Sequence, residues 1–253
     1  MIAVILAGGM GTRLSEETIS KPKPLVEAAG KPLIWHVMKH YSDYGVDEFI
    51  VLAGYKGNML REYFNNLWLD QSEISFDLAG NSPKIKTNRS LNWKITVLDT
   101  GKDTTTSGRL KFIADRVHGK FFLTYSDGIS DVNLADLLRD HEANNCLATL
   151  TAIRPPARFG ALKLNKNKVV KFTEKPEEEG GWINGGFFIL EKEVFEFIKD
   201  INSPFEVDAL SQLAQAGQLN SFKHGGLFIA VDTLRDLEKV NEYHRTVGLP
   251  WMN

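Results

Sequence analysis

The chain has 253 residues, a formal net charge of −2 and one cysteine, Cys146. This length suits one large α/β domain, or one domain with a small added lobe. The near-neutral charge without a long basic run argues against a general nucleic-acid binder. One cysteine excludes an intrachain disulfide and a cysteine-based zinc site, and we expect it to be a buried thiol. No apolar run approaches the roughly 20 residues that a membrane span needs, so we expect a cytoplasmic protein with no membrane partner.

Strands and helices alternate along the chain. The predicted strands are MIAVIL, EFIVLAG, KITVLDT, KFFLTYSDG, CLATLTAI, two short strands around LNKNK, WINGGFFIL and FKHGGLFIAV. The predicted helices span 31–44, 58–68, 108–117, 134–144, 191–199 and 207–216, with a last helix from Thr233. This alternation predicts an α/β fold with a mostly parallel sheet covered by helices on both faces.

The alternation stops between residues 69 and 93, where the sequence is polar and turn-rich and offers one candidate strand, EISFDLAG. We interpret this segment as an excursion from the sheet. Its apolar residues make it a candidate for a subunit contact or an active-site cover, with a mobile surface loop as the alternative. These residues are Trp68, Leu69, Phe76, Leu91 and Trp93.

A glycine-rich stretch, LAGGMGTRLSEETISKPKPLV, directly follows the first strand. Such a turn offers backbone amides to phosphate groups. It is not a Walker A loop, because residues 30–32 read Gly-Lys-Pro, without the serine or threonine that must follow the lysine. It is not the dinucleotide fingerprint either, because Leu14 stands where the third glycine belongs. The loop therefore predicts phosphate binding of another type.

The order G-G-x-G-T-R-L and then K-P-K-P behind the first strand resembles the sugar-phosphate nucleotidyltransferases, which join a nucleoside triphosphate to a sugar 1-phosphate. The resemblance covers nearly the whole chain. Further segments similar to that family are YSDG at 125–128, RFGAL at 158–162, TEKP at 173–176, INGGFFIL at 183–190 and VDTLRD at 231–236. Two positions depart from its usual pattern: Ser126 replaces a glycine, and Phe205 replaces a tryptophan before Glu206.

The resemblance implies a Rossmann-like three-layer sandwich with a mixed, mostly parallel central sheet. It implies one nucleotidyltransferase domain over 1–253, with a nucleotide-binding part at about 1–130 and a sugar-binding part at about 131–253. Within the family, the segments around the lysine-proline pair, LDTG and VDTLRD are most similar to cytidylyltransferases. That similarity implies CTP and glucose 1-phosphate as substrates, and CDP-glucose for surface polysaccharides as the product. Members of the family are commonly homo-oligomers, so the resemblance also implies a homo-oligomer.

The nucleotide is expected at the glycine-rich loop, where small residues let the backbone approach phosphates. The resemblance implies that Arg13 clamps the β- and γ-phosphates with its planar fork, that Lys23 meets the α-phosphate, and that Arg109 donates to the base. The implied nucleotide-binding residues are Leu6, Ala7, Gly8, Gly9, Gly11, Thr12, Arg13, Lys23, Thr104, Arg109 and Ser126. The implied catalytic residues are Arg13, Lys23 and Asp127.

Two aspartates are predicted to hold Mg²⁺. Asp127 ends the strand LTYSD, and Asp232 follows the apolar run LFIAV. Carboxylates at strand ends, together with phosphate oxygens, suit this ion, although either aspartate alone reads as a turn or helix-cap residue. The sugar phosphate is expected on the second half of the chain, where the implied binding residues are Gly160, Glu174, Lys175, Asn184 and Gly185.

Other functions are compatible with parts of this pattern. The same reaction could use UTP or dTTP, or a cytidylyltransferase could act on another phosphorylated acceptor. A non-catalytic homologue would bind sugar nucleotides without turnover, but it would be expected to lack Arg13, Lys23 or an aspartate, and all are present. An NAD-binding module would need the dinucleotide fingerprint.

Overall fold

A computed structural model describes residues 1–70, 72–76, 84–87, 91–155, 161–165, 168–173 and 181–252. The strands are β1 (Ile2–Ala7), β2 (Glu27–Ala28), β3 (Lys31–Pro32), β4 (Glu48–Ala53), β5 (Ser72–Ser75), β6 (Lys84–Thr87), β7 (Lys94–Asp99), β8 (Phe121–Tyr125), β9 (Gly128–Ser130), β10 (Ala148–Ile153), β11 (Ala161–Asn165), β12 (Lys168–Thr173), β13 (Ile183–Leu190), β14 (Leu219–His224) and β15 (Phe228–Ala230). The α-helices are α1 (Ser15–Thr18), α2 (Leu33–Asp43), α3 (Gly57–Asp70), α4 (Thr106–Lys111), α5 (Leu134–Asn144), α6 (Ala209–Gln215) and α7 (Leu234–Thr246). Short 3₁₀ helices span Thr12–Leu14, Lys23–Leu25, Lys192–Phe197 and Pro250–Met252.

Seven strands form the central sheet in the order β14-β10-β13-β8-β1-β4-β7. Neighbouring strands are parallel except at β13, which is antiparallel to both β10 and β8. Successive residues of β1 face opposite layers: Ile5 packs with helices α2 and α5, and Leu6 packs with α4 and α6. The predicted three-layer α/β fold with a mixed, mostly parallel sheet is confirmed.

Several predicted boundaries differ from the structure. Helix α2 begins at Leu33, because the extended backbone of Pro32 (ψ 147°) belongs to the strand before it. The predicted strand FKHGGLFIAV is split into β14 and β15 at the two glycines. The excursion carries an antiparallel pair, β5 and β6, where one strand was predicted. Cys146 is half-buried rather than buried. No helix in the described ranges is long and apolar enough to cross a membrane.

Two histidines of α2 lie inside the protein, where they hold the C-terminal turn against the helix. The indole nitrogen of Trp251 donates to Nδ1 of His36 at 3.0 Å, so Nε2 of His36 carries the proton that is donated to the Ala28 carbonyl at 2.7 Å. Nε2 of His40 lies 2.9 Å from the Val132 carbonyl and therefore also carries a proton. Burial lowers the pKa of His36, and it lowers the pKa of His40 to about 4. Both rings are therefore neutral at pH 7.

We expect the protein to lose stability as the pH falls from about 6.5 to 4. In that window the unfolded chain binds a proton on His40 that the native state excludes, so acid favours unfolding. A pKa depressed from 6.5 to about 4 corresponds to roughly 3 kcal/mol of unfolding free energy, present above pH 6.5 and lost by pH 4. Urea denaturation of the wild type and of His40→Gln at pH 7.5, 6 and 5 measures this contribution.

The free energy of unfolding of His40→Gln should depend less steeply on pH than that of the wild type, because the glutamine amide can still donate to Val132 but cannot titrate. The matched control is His118→Gln, at an exposed histidine, which should keep the wild-type slope. Equal slopes for His40→Gln and the wild type would contradict the prediction.

Candidate active site

A cleft of about 560 Å³ opens at the carboxyl edge of the parallel strands, beside the end of β1. Parallel α/β folds place their ligands at this edge. The structure brings every predicted nucleotide and metal residue to its lining: Leu6, Ala7, Gly8, Gly9, Gly11, Thr12, Arg13, Lys23, Thr104, Arg109, Ser126, Asp127 and Asp232. The loop after β1 forms one wall because Gly11, at φ +63°, turns the chain back toward Lys23.

Lys23 lies at the centre of the charged part of the cleft. Its Nζ is 2.5 Å from Oδ2 of Asp127 and 2.7 Å from Oδ1 of Asp232. Arg13 forms a second ion pair, with its Nη1 at 2.7 Å from Oδ2 of Asp232. Burial by itself would lower the pKa of Lys23, but the two carboxylates outweigh it and raise that pKa. The ammonium therefore stays charged at neutral pH.

A short antiparallel ladder places the two aspartates side by side. Strand β9 starts directly after Asp127 and pairs with β15, with Gly128 opposite Ala230. The backbone amide of Val231 donates to the Asp127 carbonyl at 3.1 Å, which extends the ladder to the residue before Asp232. Thr233, which follows Asp232, caps helix α7. Its hydroxyl accepts from the amide of Asp236, and the side chain of Asp236 accepts from the amide of Thr233. Backbone pairing thus places both aspartates side by side, and ion pairs with Lys23 and Arg13 hold their carboxylates.

The two carboxylates fit a divalent cation. One oxygen of each carboxylate lies within 2.7 Å of the ammonium of Lys23. A metal ion at the same position would therefore have two anionic ligands. Both side chains are about one quarter exposed, at 27% and 26%, which leaves room for further ligands. Among the described residues no group of three His, Cys, Asp or Glu side chains converges. The remaining ligands of a bound ion would therefore have to come from the substrate and from water.

Arg109 and Thr104 line the cleft, but their polar groups already have protein partners. Arg109 is 4% exposed, and both terminal nitrogens of its guanidinium donate to backbone carbonyls. The hydroxyl of Thr104 donates to the Thr100 carbonyl at 2.5 Å. That Arg109 also donates to a base stays a prediction.

A network around Glu206 forms the opposite wall, and the sequence indicated it only weakly. Its carboxylate accepts hydrogen bonds from the hydroxyl of Tyr125 and, at 2.9 Å, from that of Thr106. Burial and the neighbouring Glu206 raise the pKa of Tyr125. Glu206 appeared in the sequence only as the acid after Phe205, which is fully buried in the core. The other lining residues not predicted are Met10, Pro24, Lys102, Asp103, Thr105 and Pro204.

The predicted sugar-binding residues are only partly described. Gly160, Glu174 and Lys175 lie outside the described residues. Asn184 is exposed and accepts from the Gly186 amide at 2.8 Å. A side chain at Gly185 would meet Ile153 at 2.9 Å, so packing within the sheet already requires this glycine. The sugar roles of all five residues stay predictions.

Comparison with known proteins places the chain in one enzyme family. Residues 2–228 match the family model described as nucleotidyl transferase. The glucose-1-phosphate cytidylyltransferase of Salmonella typhimurium is 45% identical over 253 residues, covering 99% of this chain and 98% of the relative. The mannose-1-phosphate guanyltransferase of Yarrowia lipolytica is 30% identical over 245 residues, covering 93% of this chain and 62% of the relative.

A solved structure agrees at the level of the fold. A UDP-glucose pyrophosphorylase complexed with UDP-glucose superposes with a TM-score of 0.69 at 14% identity, over 96% of this chain and 98% of that one. With the family model covering most of its length, the chain belongs to the nucleotidyl transferase family.

Proposed function

We propose that this protein transfers a cytidylyl group from CTP to α-D-glucose 1-phosphate, giving CDP-glucose and pyrophosphate. The observation that carries the reaction class is the convergence of Lys23, Asp127 and Asp232 at one point of the cleft, beside the glycine-rich loop. The choice of base and sugar rests on the Salmonella relative at 45% identity. The Yarrowia relative, named for another base and another sugar, is only 30% identical.

The reaction needs alignment and charge neutralisation, and no covalent enzyme intermediate. A phosphate oxygen of the sugar phosphate attacks the α-phosphorus of CTP in line, and pyrophosphate leaves from the opposite side. Lys23 neutralises charge that grows on the α-phosphate, and the planar fork of Arg13 holds the departing phosphates. A divalent cation on Asp127 and Asp232, for which we propose Mg²⁺, would polarise the phosphate oxygens when bound.

The proposal extends to assembly and location. We infer a homo-oligomer in the cytoplasm. Large apolar side chains on and beside the antiparallel pair of β5 and β6 support the assembly: Trp68, Phe76 and Ile85 are 49%, 72% and 42% exposed. Surfaces of this kind mark interaction sites in many proteins. Light scattering at micromolar concentration tests the inference, and a monomeric mass would overturn it.

A substrate panel tests the proposed function. CTP, UTP, dTTP, GTP and ATP are each combined with glucose 1-phosphate, and pyrophosphate release is followed with Mg²⁺ present. We expect kcat/KM for CTP to exceed that for every other nucleotide by at least about 100-fold, since a site built to hydrogen-bond one base leaves polar groups unpaired with another. A second panel keeps CTP and varies the sugar phosphate. A preference for UTP or dTTP would reassign the base, and binding without turnover would indicate a non-catalytic homologue.

A further inference from the structure

One buried guanidinium connects the ends of three neighbouring strands. Arg109 extends from α4 to the carboxyl edge of the sheet, where β1, β4 and β7 lie side by side. Its Nη2 donates to the carbonyl of Gly8, after β1, at 3.0 Å. Its Nη1 donates to the carbonyls of Ala53, at the end of β4, at 3.1 Å and of Gly101, after β7, at 2.9 Å. The same side chain also donates to the Thr100 hydroxyl and to the Lys102 carbonyl.

Two glycines make room for this guanidinium. A Cβ atom at Gly8 would lie 2.0 Å from Cζ of Arg109, and one at Gly54 would lie 2.5 Å from Nη1. Neither glycine has a positive φ, so their backbones place no special demand on residue type. A side chain at Gly8, directly after β1, would therefore clash with the guanidinium, and one at Gly54, directly after β4, would clash with the guanidinium and, at 2.7 Å, with the Gly101 carbonyl.

The shape of the arginine side chain suits this arrangement. The guanidinium is a rigid, planar fork whose donors point in several directions, so it can reach carbonyls on three strands at once. In the described residues no carboxylate forms an ion pair with Arg109, and burial lowers the pKa of the guanidinium. Burying this cation at 4% exposure costs free energy, which its five hydrogen bonds and the nearby charge of Asp99 offset.

We propose that Arg109 is a positioning residue, which fixes the glycine-rich loop after β1 in its nucleotide-binding shape by tying that loop to the ends of β4 and β7. The carbonyl of Gly8 is the atom of this loop that Arg109 contacts, and it also accepts from the Tyr55 amide at 3.2 Å. With that carbonyl held, the amides that follow it face the cleft in a constant direction. This inference rests on the proposed function for the identity of the nucleotide, but not for the position of the loop.

Two variants separate positioning from base recognition. Arg109→Gln removes the fork, whereas Gly54→Ala displaces it from outside the cleft, because Gly54 is not among the residues that line the cleft. If Arg109 positions the loop, both variants raise KM for CTP and for UTP by the same factor, tenfold or more, and the preference between the two nucleotides stays at the wild-type value. If Arg109 reads the base, both variants narrow the preference between CTP and UTP, because one removes the guanidinium and the other displaces it, and that result would overturn the proposal.

Hydrogen-deuterium exchange without nucleotide gives a second readout that does not depend on which substrate is used. Amides of residues 8–13 should exchange at least tenfold faster in both variants. The control Leu137→Ala, at a fully buried residue of α5, should lower Tm while KM for CTP and exchange at 8–13 stay at wild-type values. If Arg109→Gln does not fold, Arg109→Lys replaces it. Unchanged exchange at 8–13 in Gly54→Ala and in the Arg109 variant would overturn the proposal even if the substrates prove to be others.

Discussion

Asp127→Asn is expected to lower kcat by about 100-fold or more, roughly 3 kcal/mol of transition-state stabilisation, while the fold survives. The substitution keeps the size of the side chain but removes one of the two charges that meet at the cation position, 2.5 Å from Nζ of Lys23. The fold should survive because the residue is partly exposed and its backbone, not its carboxylate, pairs with Val231. Steady-state kinetics over a range of Mg²⁺ concentrations, with thermal denaturation, measure both effects.

Asp232→Asn should lower kcat in the same way, and the double variant should lower kcat little more than either single variant does. Both carboxylates act through one cation, and effects of residues that act as a unit are strongly non-additive. Asp115→Asn, at an exposed position away from the cleft, is the matched control and should keep wild-type kcat. Wild-type kcat and an unchanged Mg²⁺ requirement in Asp127→Asn would show that the cation binds elsewhere.

Lys23→Met should lower kcat by about 10- to 100-fold and, at the same time, strengthen the binding of a divalent cation in the absence of nucleotide. A contact with a charged group contributes about 1.5–3 kcal/mol, and this one grows as the transition state forms. Without nucleotide, however, the ammonium sits between the two carboxylates that we assign to the metal, at 2.5 and 2.7 Å. Removing the ammonium abolishes the repulsion between it and a metal ion bound by the same two carboxylates.

Electron paramagnetic resonance of Mn²⁺ gives the metal affinity of Lys23→Met directly, and kinetics with CTP varied gives the loss in kcat. Lys21→Met is the control: that lysine pairs only loosely with Glu17, at 3.6 Å, and does not line the cleft. It should leave both quantities unchanged. Weaker Mn²⁺ binding to Lys23→Met than to the wild type would mean that the lysine helps to assemble the metal position instead of competing for it.

The alternation of strands and helices was readable from the sequence because each element buries a continuous apolar run or face, as β1 and β4 do. Local signals were also sufficient where a cap fixes an end: the predicted helix 134–144 starts and ends as expected, and the side chain of Asn133 before it accepts from the amides of Ala135 and Asp136. The helix predicted at 108–117 spans Thr106–Lys111: its start was placed two residues late, since the cap is Thr105 and lies inside a polar run of threonines, and its end was placed six residues late.

What the sequence could not reveal depends on contacts between distant segments. Strands β9 and β15 pair although they lie about 100 residues apart in the chain, and no local sequence pattern indicates this pairing. Arg109 follows a polar loop and therefore resembles an exposed ligand-binding arginine, whereas the folded chain buries it under three strand ends. The direction of each charged side chain in the cleft is likewise a property of the assembled sheet.

The reversed direction of β13 changes where ligand-facing residues should be sought along the chain. Its neighbours β8 and β10 end at the cleft edge of the sheet, but β13 begins there, with Ile183 opposite Ile153. On this one strand the chain before the first residue, and not the chain after the last, meets that edge. A search for variants with altered sugar selectivity should therefore diversify the positions preceding Ile183 together with those following Ile153, and leave the far end near Leu190 untouched.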